Sequence, residues 1–429
     1  MQTTAEERDL VDAARRVLPG GNFGNMPGEI VIRRGQGGRV WDVSGNEYVD
    51  FLLGSGPMLI GHAHPEVNQA VRDQLDRGST FFLNNEFGIQ LAAEIVEALP
   101  CAEQVRFAST GTEADALAMR LARAFRGRSK ILKFEGGYHG MSDYGLMSLW
   151  PEKPGNSEQP QSDSAGIPES VRGEIVVAPF NDLEAARQLI HRYKDELGGV
   201  IVEPLQRLIP PKPGFLEGLR DVTNEFGIPL IFDEVVTGFR LAYGGGQTYY
   251  GVTPDICTVG KVVGGGYPLS AVAGRAEIMA HFDKTKVGGK GYMPMTGTLS
   301  GNPIAAAAGL ATLAVLKRPG TYEKLHATGN AIKQGLEEAL VKHGVPAVVK
   351  GEGPMFDAIF TGRKTVDDYR ASIDIDRKVM RSFNDKVRQC GILKGDGKIY
   401  ISLAHDDRDI AQALEAFEEG AKLVAQDLH

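Results

Sequence analysis

The sequence predicts an α/β fold, a mostly parallel sheet covered by helices, with a smaller α+β part beside it. Three observations point there. Short apolar strand candidates alternate with helical stretches from about residue 105 to 272. Glu203, Asp233 and Lys261 each end one of these strands, at spacings of roughly 30 residues, the length of one strand-helix-strand unit. The chain of 429 residues, 42% hydrophobic and 24% charged, is long enough to bury a large core and to form two or three globular parts.

The elements follow in order. Thr4-x-x-Glu7 forms a capping box that opens a helix with Leu10, Val11, Ala14, Val17 and Leu18 on one face, stopped by Pro19-Gly20-Gly21. Strand candidates at 30–32 and 39–42 come next, and Gly61-His62-Ala63-His64-Pro65 leads into another helix. The central strands are expected at 105–108, 131–134, 200–202, 229–232 and 256–259. An Ala-rich helix runs from 303 to about 316, a strand is expected at 399–402, and an amphipathic helix carrying Ile410, Leu414 and Phe417 closes the chain. Two loops rich in small residues, 151–170 and 283–292, are lid candidates, with a plain surface excursion as the alternative.

The balance of charge narrows the function. A net charge of -8 argues against a nucleic-acid partner or an anionic membrane surface. Cys101, Cys257 and Cys390 are odd in number and far apart, which suits a reducing cytoplasm better than a disulfide framework. The polar start of the chain lacks an export signal, and no stretch approaches the ~20 apolar residues of a membrane span. His62 and His64 lack the partners of a metal site and read as turn and packing residues. Gly264-Gly265-Gly266 lacks the order of a dinucleotide fingerprint.

The chemistry gathers at the strand ends. In open α/β sheets ligands sit at the carboxyl ends of the strands, so Glu203, Asp233 and Lys261 can converge. A lysine there can hold an aldehyde cofactor as a Schiff base, and a carboxylate can keep a ring nitrogen protonated, which is what pyridoxal phosphate needs. A structural ion pair is the alternative. Ser109-Thr110-Gly111-Thr112-Glu113-Ala114 follows a strand and opens a helix, a seat for a phosphate, although by itself it is also ordinary helix punctuation. Tyr138, in Glu135-Gly136-Gly137-Tyr138-His139-Gly140, could stack on a flat ring or sit on a turn at the surface.

Together with Val202-Glu203-Pro204, Ile231 to Arg240, Gly260-Lys261 and Gly297-Thr298-Leu299-Ser300-Gly301-Asn302-Pro303, these motifs resemble those of class III, fold-type I pyridoxal phosphate aminotransferases, from about residue 19 to 410. Within the class the chain is most similar to the glutamate-1-semialdehyde aminomutase branch, through Gly61 to Pro65, Lys133 to Gly140 and Tyr250 to Asp255. The resemblance implies pyridoxal 5'-phosphate as cofactor, an amino donor with a keto acid or aldehyde acceptor, and two half-reactions. It implies that Lys261 bonds the cofactor and shuttles the proton, and that Asp233 pairs with the ring nitrogen. Thr110, Gly111 and Thr112 would bind the phosphate, Tyr138 and Val235 would cover the two ring faces, and Glu203 and His139 would line the site. Thr298 would reach the phosphate of the neighbouring subunit, which makes a homodimer with shared sites. The implied domains are a large one at 61–310 and a small one assembled from 1–60 and 311–429.

An aminomutase or an amino-acid racemase is the alternative within pyridoxal enzymes, and a non-catalytic protein retaining the fold is the alternative outside them. The chain departs from the aminomutase pattern where that enzyme handles its substrate. Asn22-Phe23-Gly24-Asn25-Met26 offers no cation where the aminomutases have an arginine, Ser55 replaces a tryptophan, and Gly397 stands in the place of a glutamate. Arg207 has no aminomutase counterpart. A substrate carboxylate is therefore expected at Arg207 or Lys398, unless both are solvated surface charges, and Phe23, Phe81 and Phe82 are expected to make the pocket more apolar.

Overall fold

The computed structural model describes residues 1–26, 28–151 and 160–428, which form two compact units. The larger unit comprises 66–322 and 365–374. Its seven-stranded sheet has the order Gln104–Ala108, Ser270–Gly274, Ile256–Val259, Leu230–Glu234, Leu197–Val202, Lys130–Phe134, Ile175–Ala178. Only Ser270–Gly274 runs antiparallel to its neighbours. The expected parallel sheet is present, and its central strands are continuous apolar runs because both faces are covered. Leu197–Val202 is buried at every position, and each such Val, Ile or Leu stabilises the fold by about 1.5–3 kcal/mol. Two strands were not anticipated. Ile175–Ala178 follows the 151–170 segment, and Ser270–Gly274 is made of Ser, Ala, Val and Gly, a composition with little strand signature.

The carboxyl ends of these strands are tied down by Glu234. Its side chain is fully buried and accepts from Gly246 N–H, from Gln247 N–H at 3.1 Å, from Gln247 Nε2 at 3.0 Å and from Thr237 Oγ1 at 3.0 Å. Burial pushes this carboxyl up, while the bonds from Gly246, Gln247 and Thr237 pull it down. The chain leaving the strand is thereby folded back over the sheet, which fixes the neighbouring Asp233.

The smaller unit comprises 1–65, 323–364 and 375–429, so it is built from both ends of the chain. Its four-stranded sheet joins them directly. Ile32–Gln36, Arg39–Asp42 and Glu47–Asp50 form an antiparallel meander, and Ile392–Leu393 adds to it in parallel, with Ile392 opposite Val49. A three-stranded sheet contains Ala347–Glu352, Met355–Phe360 and Ile399–Tyr400. The unit boundaries differ from the expected 60/61 and 310/311. Gly37 and His62 exchange backbone hydrogen bonds, which keeps 61–65 in the small unit. The helix Pro303–Leu316 continues unbroken through 310, and Tyr322 donates to the Phe239 carbonyl at 2.9 Å, which keeps 311–322 in the large one. Residues 365–374 return to the large unit, where Asn181 Nδ2 donates to the Asp367 carbonyl at 2.8 Å.

Three local expectations shift. The first strand begins at Ile32 rather than 30, because the Val31 N–H is taken by Glu7 Oε1 at 2.9 Å. The 283–292 lid candidate is helical over Lys284–Gly291, broken by a kink at Gly288 (φ +71°), and its Thr285 N–H is capped by Asp283 at 2.9 Å. Of the other lid candidate, 152–159 lies outside the described residues. Replacing Glu234 by alanine leaves three buried N–H groups and a hydroxyl without their acceptor. Urea unfolding should show a loss of about 3 kcal/mol or more; a change within ~0.5 kcal/mol, the range of ordinary surface substitutions, would show that the anchor is dispensable.

Candidate active site

Strand register builds the site. In the parallel pair Leu230–Glu234 and Ile256–Val259, Asp233 lies opposite Thr258, and Lys261 follows two residues after the second strand ends. Asp233 is buried. Its Oδ1 accepts from the Val235 N–H at 3.1 Å, and its Oδ2 lies 2.9 Å from His139 Nδ1. Lys261 starts a short 3₁₀ turn in the left-handed region, φ +49°, which an L side chain adopts only at a cost. Candidate residues Ser55, φ +66°, Phe82, φ +58°, and Arg207, φ +61°, share that strain.

The helix Gly111–Arg126 starts beside them. Glu113 Oε2 takes the N–H groups of Ser109 and Thr110, and Thr110 Oγ1 takes that of Glu113. Among the described residues the N–H groups of Gly111 and Thr112 have no acceptor, so the helix start presents two donors and a positive dipole end to an anion. Gly111 allows the close approach: a Cβ there would lie 3.1 Å from Val235 Cγ1. The same Val235 methyl would be 3.3 Å from a Cβ on Gly260, so Val235 lies between the helix start and the lysine turn.

A third wall comes from the loop after Lys130–Phe134. Glu203 Oε2 accepts the Tyr138 N–H at 2.8 Å, which sets the half-buried Tyr138 ring. Lys133 is fully buried below this loop, donating to the carbonyls of Gly145 at 2.8 Å and Met147 at 2.7 Å; burial pushes its amine down to about 7. Burial raises the Tyr138 hydroxyl. Arg207 occupies the tip of a two-residue turn closed by Gln206 and Ile209. Its Nε donates to the Gly136 carbonyl at 3.1 Å, and its guanidinium lies 5.3 Å from the Tyr138 ring centre and 5.9 Å from that of Trp150.

The structure thus brings Thr110, Gly111, Thr112, Tyr138, His139, Glu203, Asp233, Val235 and Lys261 into one neighbourhood, with Arg207 at the edge beside Tyr138. Thr298 is not placed with them. It lines a separate cavity of about 670 Å³ with Phe81, Phe82, Phe107 and Asn84. Phe23, Ser55 and Lys398 belong to the smaller unit, where Phe23 is 83% exposed, Ser55 is exposed and Lys398 is half-buried. Lys394, close to Lys398 in sequence, is buried on Asp357 at 2.8 Å. His62 pairs with Asp50 at 2.7 Å.

Two residues of the neighbourhood lie outside the sequence motifs. Asp115 and Thr258 are both buried, with Thr258 Oγ1 2.6 Å from Asp115 Oδ1 and 3.4 Å from Asp233 Oδ1. A signal for Asp115 exists in the sequence. It falls on the helix stripe that continues through the buried Ala118 and Ala122, a place where an acid is rare.

The sheet, the strand-end acid and lysine, and the anion-binding helix start define a fold-type I pyridoxal phosphate enzyme. The chain belongs to the class-III aminotransferase family, whose sequence model matches residues 22–420. It is similar to a glutamate-1-semialdehyde 2,1-aminomutase from Exiguobacterium sp., 38% identical and spanning 99% of this chain and 98% of that one. It is also similar to an omega-transaminase from Sphaerobacter thermophilus, with TM-score 0.92 and 36% identity over 99% of both chains. A third relative is the β-phenylalanine aminotransferase from Variovorax paradoxus, with TM-score 0.85 and 31% identity over 96% of this chain and 93% of that one. The protein is a pyridoxal 5'-phosphate-dependent enzyme that moves an amino group between an amino compound and a keto acid or aldehyde. Among the described residues no helix is long and apolar enough to cross a membrane.

Proposed function

We propose that this chain is a cytoplasmic, homodimeric aminotransferase working around Lys261 and Asp233, and that its substrate is not glutamate-1-semialdehyde. The observation that carries the site is the register of two parallel strands, which sets a buried, hydrogen-bonded carboxylate beside the turn that bears a strained lysine. The cofactor, when bound, supplies a ring that accepts electrons from the substrate carbon. Lys261 would hold its aldehyde through Nζ and would move the substrate proton. Asp233, held in place by His139 and the Val235 N–H, would pair with the ring nitrogen and keep it protonated. Thr110, Gly111 and Thr112 hold the phosphate; Tyr138 and Val235 hold the ring, and Glu203 orients Tyr138.

The dimer is supported by an exposed apolar surface around the second cavity. Phe81 is 48%, Phe82 66% and Leu83 81% exposed in the single chain, and all three line that cavity, the kind of exposed apolar cluster that marks a protein–protein contact. Thr298 lines that cavity and serves the partner's phosphate. Of the two candidate cations, Arg207 is favoured for a substrate carboxylate, because it stands against Tyr138 in a conformation that costs energy to hold. Phe23, Phe81, Phe82 and Ser55 remain candidates for the apolar part of the pocket. The 38% identity to an aminomutase favours that enzyme as the second reading, against the missing cation at 22–26, Ser55 and Gly397.

Lys261→Ala should abolish turnover while circular dichroism stays native, and Asp233→Asn should slow transamination at least ~10²-fold, the scale of other lost electrostatic contacts. Near-normal rates in either would displace that residue from the site. Mixing Lys261→Ala with Thr298→Ala subunits should restore activity on exchange, since half of the sites in mixed dimers are then intact; proven exchange with no recovery would mean that Thr298 serves its own chain. Assayed with glutamate-1-semialdehyde, the enzyme should form no 5-aminolevulinate while it transfers amino groups to a keto acid or aldehyde. Efficient formation of that product would falsify the substrate proposal.

A further inference from the structure

Asp115 is a second carboxyl packed against the first. Its Oδ1 lies 2.6 Å from Thr258 Oγ1, and the same hydroxyl lies 3.4 Å from Asp233 Oδ1. A hydroxyl carries one hydrogen, so Thr258 cannot donate to two carboxylates at once. The Asp233 carboxylate also collects the Val235 N–H and faces His139 Nδ1, whereas among the described residues only Thr258 and Asp233 reach the Asp115 carboxyl. Two buried acids in contact do not both ionise, and the one with more donors takes the charge.

We propose that Asp115 keeps its proton in the working enzyme and gives it as a hydrogen bond to Thr258 Oγ1, whose own hydrogen then goes to Asp233, acting as a positioning residue that leaves one negative charge at the ring nitrogen. The surroundings favour this state. Burial and the Asp233 charge push Asp115 well above the ordinary carboxyl range, against the Thr258 bond and the positive charge of Lys261. The charged and titratable groups facing the pair include Lys261 after the next strand, His139 and Tyr138 on the loop, and Lys133 on the strand before that loop. A hydrogen bond given to the Asp233 carboxylate lowers its affinity for the proton shared with the ring nitrogen, so that proton stays on the ring. This role rests on the proposed pairing of Asp233 with that nitrogen.

The test begins without cofactor. Infrared difference spectra of wild-type against Asp115→Asn protein at neutral pH, in both cofactor-free and loaded forms, should show the loss of one protonated-carboxyl band. If no such band is lost, Asp115 is ionised and the proposal fails. The stability of the cofactor-free protein supplies the sign. An acid whose folded pKa is raised binds its proton longer when folded, so stability falls as pH rises from about 4, the unfolded value, through the folded one. The unfolding midpoint of Asp115→Asn should therefore gain on wild type across that range, and a loss there would overturn the proposal. In the loaded enzyme, Asp115→Ala and Thr258→Val should each lower turnover about ten-fold, the scale of one hydrogen bond to a charged group, with Asp115→Asn losing less. Full turnover in both would remove the positioning role even if the band is present. An unaffected Asp233→Asn enzyme would instead overturn the ring-nitrogen assignment and leave the infrared result standing.

Discussion

Everything in the candidate site depends on the parallel pairing of Leu230–Glu234 with Ile256–Val259. The pairing sets Asp233 opposite Thr258, and a slip of one residue would turn both side chains to the other face of the sheet. That register is held from both sides. Below, the strands are continuous apolar runs buried in the core; above, Glu234 gathers four donors from the chain that follows and stops the strand end from fraying. Asp233 and Glu234 are adjacent acids with opposite duties, because successive side chains in a strand point to opposite faces. Glu234 faces the segment that it anchors, and Asp233 faces Thr258 and His139.

The buried polar groups are arranged as a graded set of charges. Lys133, fully buried, spends two donors on carbonyls of the loop beyond Tyr138, so its role is to hold that loop. Glu203 holds the Tyr138 backbone, and Asp115 and Thr258 stand behind Asp233. Each is a polar group inside an apolar interior, tolerable only because its partners are in place. Two of the positions with backbone strain fall in the same region. Lys261 and Arg207 hold positive φ values that glycine would adopt freely, and neither position bears glycine.

The smaller unit shows the same economy with different ends. Lys394 is buried on Asp357, and Asp50 ties the His62 ring to the Leu52 and Leu53 amides, so charges that look available in the sequence are committed to the fold. The strand Ile392–Leu393 beside Glu47–Asp50 makes the two chain ends one sheet. Neither end could bury its apolar face without the other.

The sequence by itself determined the sheet class, the strand ends that carry Glu203, Asp233 and Lys261, and the Thr110 helix start, because these are local signals: apolar runs, cap residues and glycines at fixed offsets. It determined the first helix and the Pro303–Leu316 helix for the same reason, through a Thr4 cap in one and an Asn302 cap with proline in the other, although the Glu7 carboxylate of the expected capping box goes to Val31 and Ser44 instead of back to Thr4. Tertiary structure alone decided what lies across from what. Ser270–Gly274 is a strand because its neighbours offer ladder partners on both sides. The large unit keeps 311–322 and regains 365–374 through contacts far apart in sequence. Asp115 becomes part of the site only because its helix packs against the strand that bears Thr258. A one-dimensional pattern records which face a residue takes on its own element, whereas the partner on that face is set by how elements stack, which involves residues more than a hundred positions away.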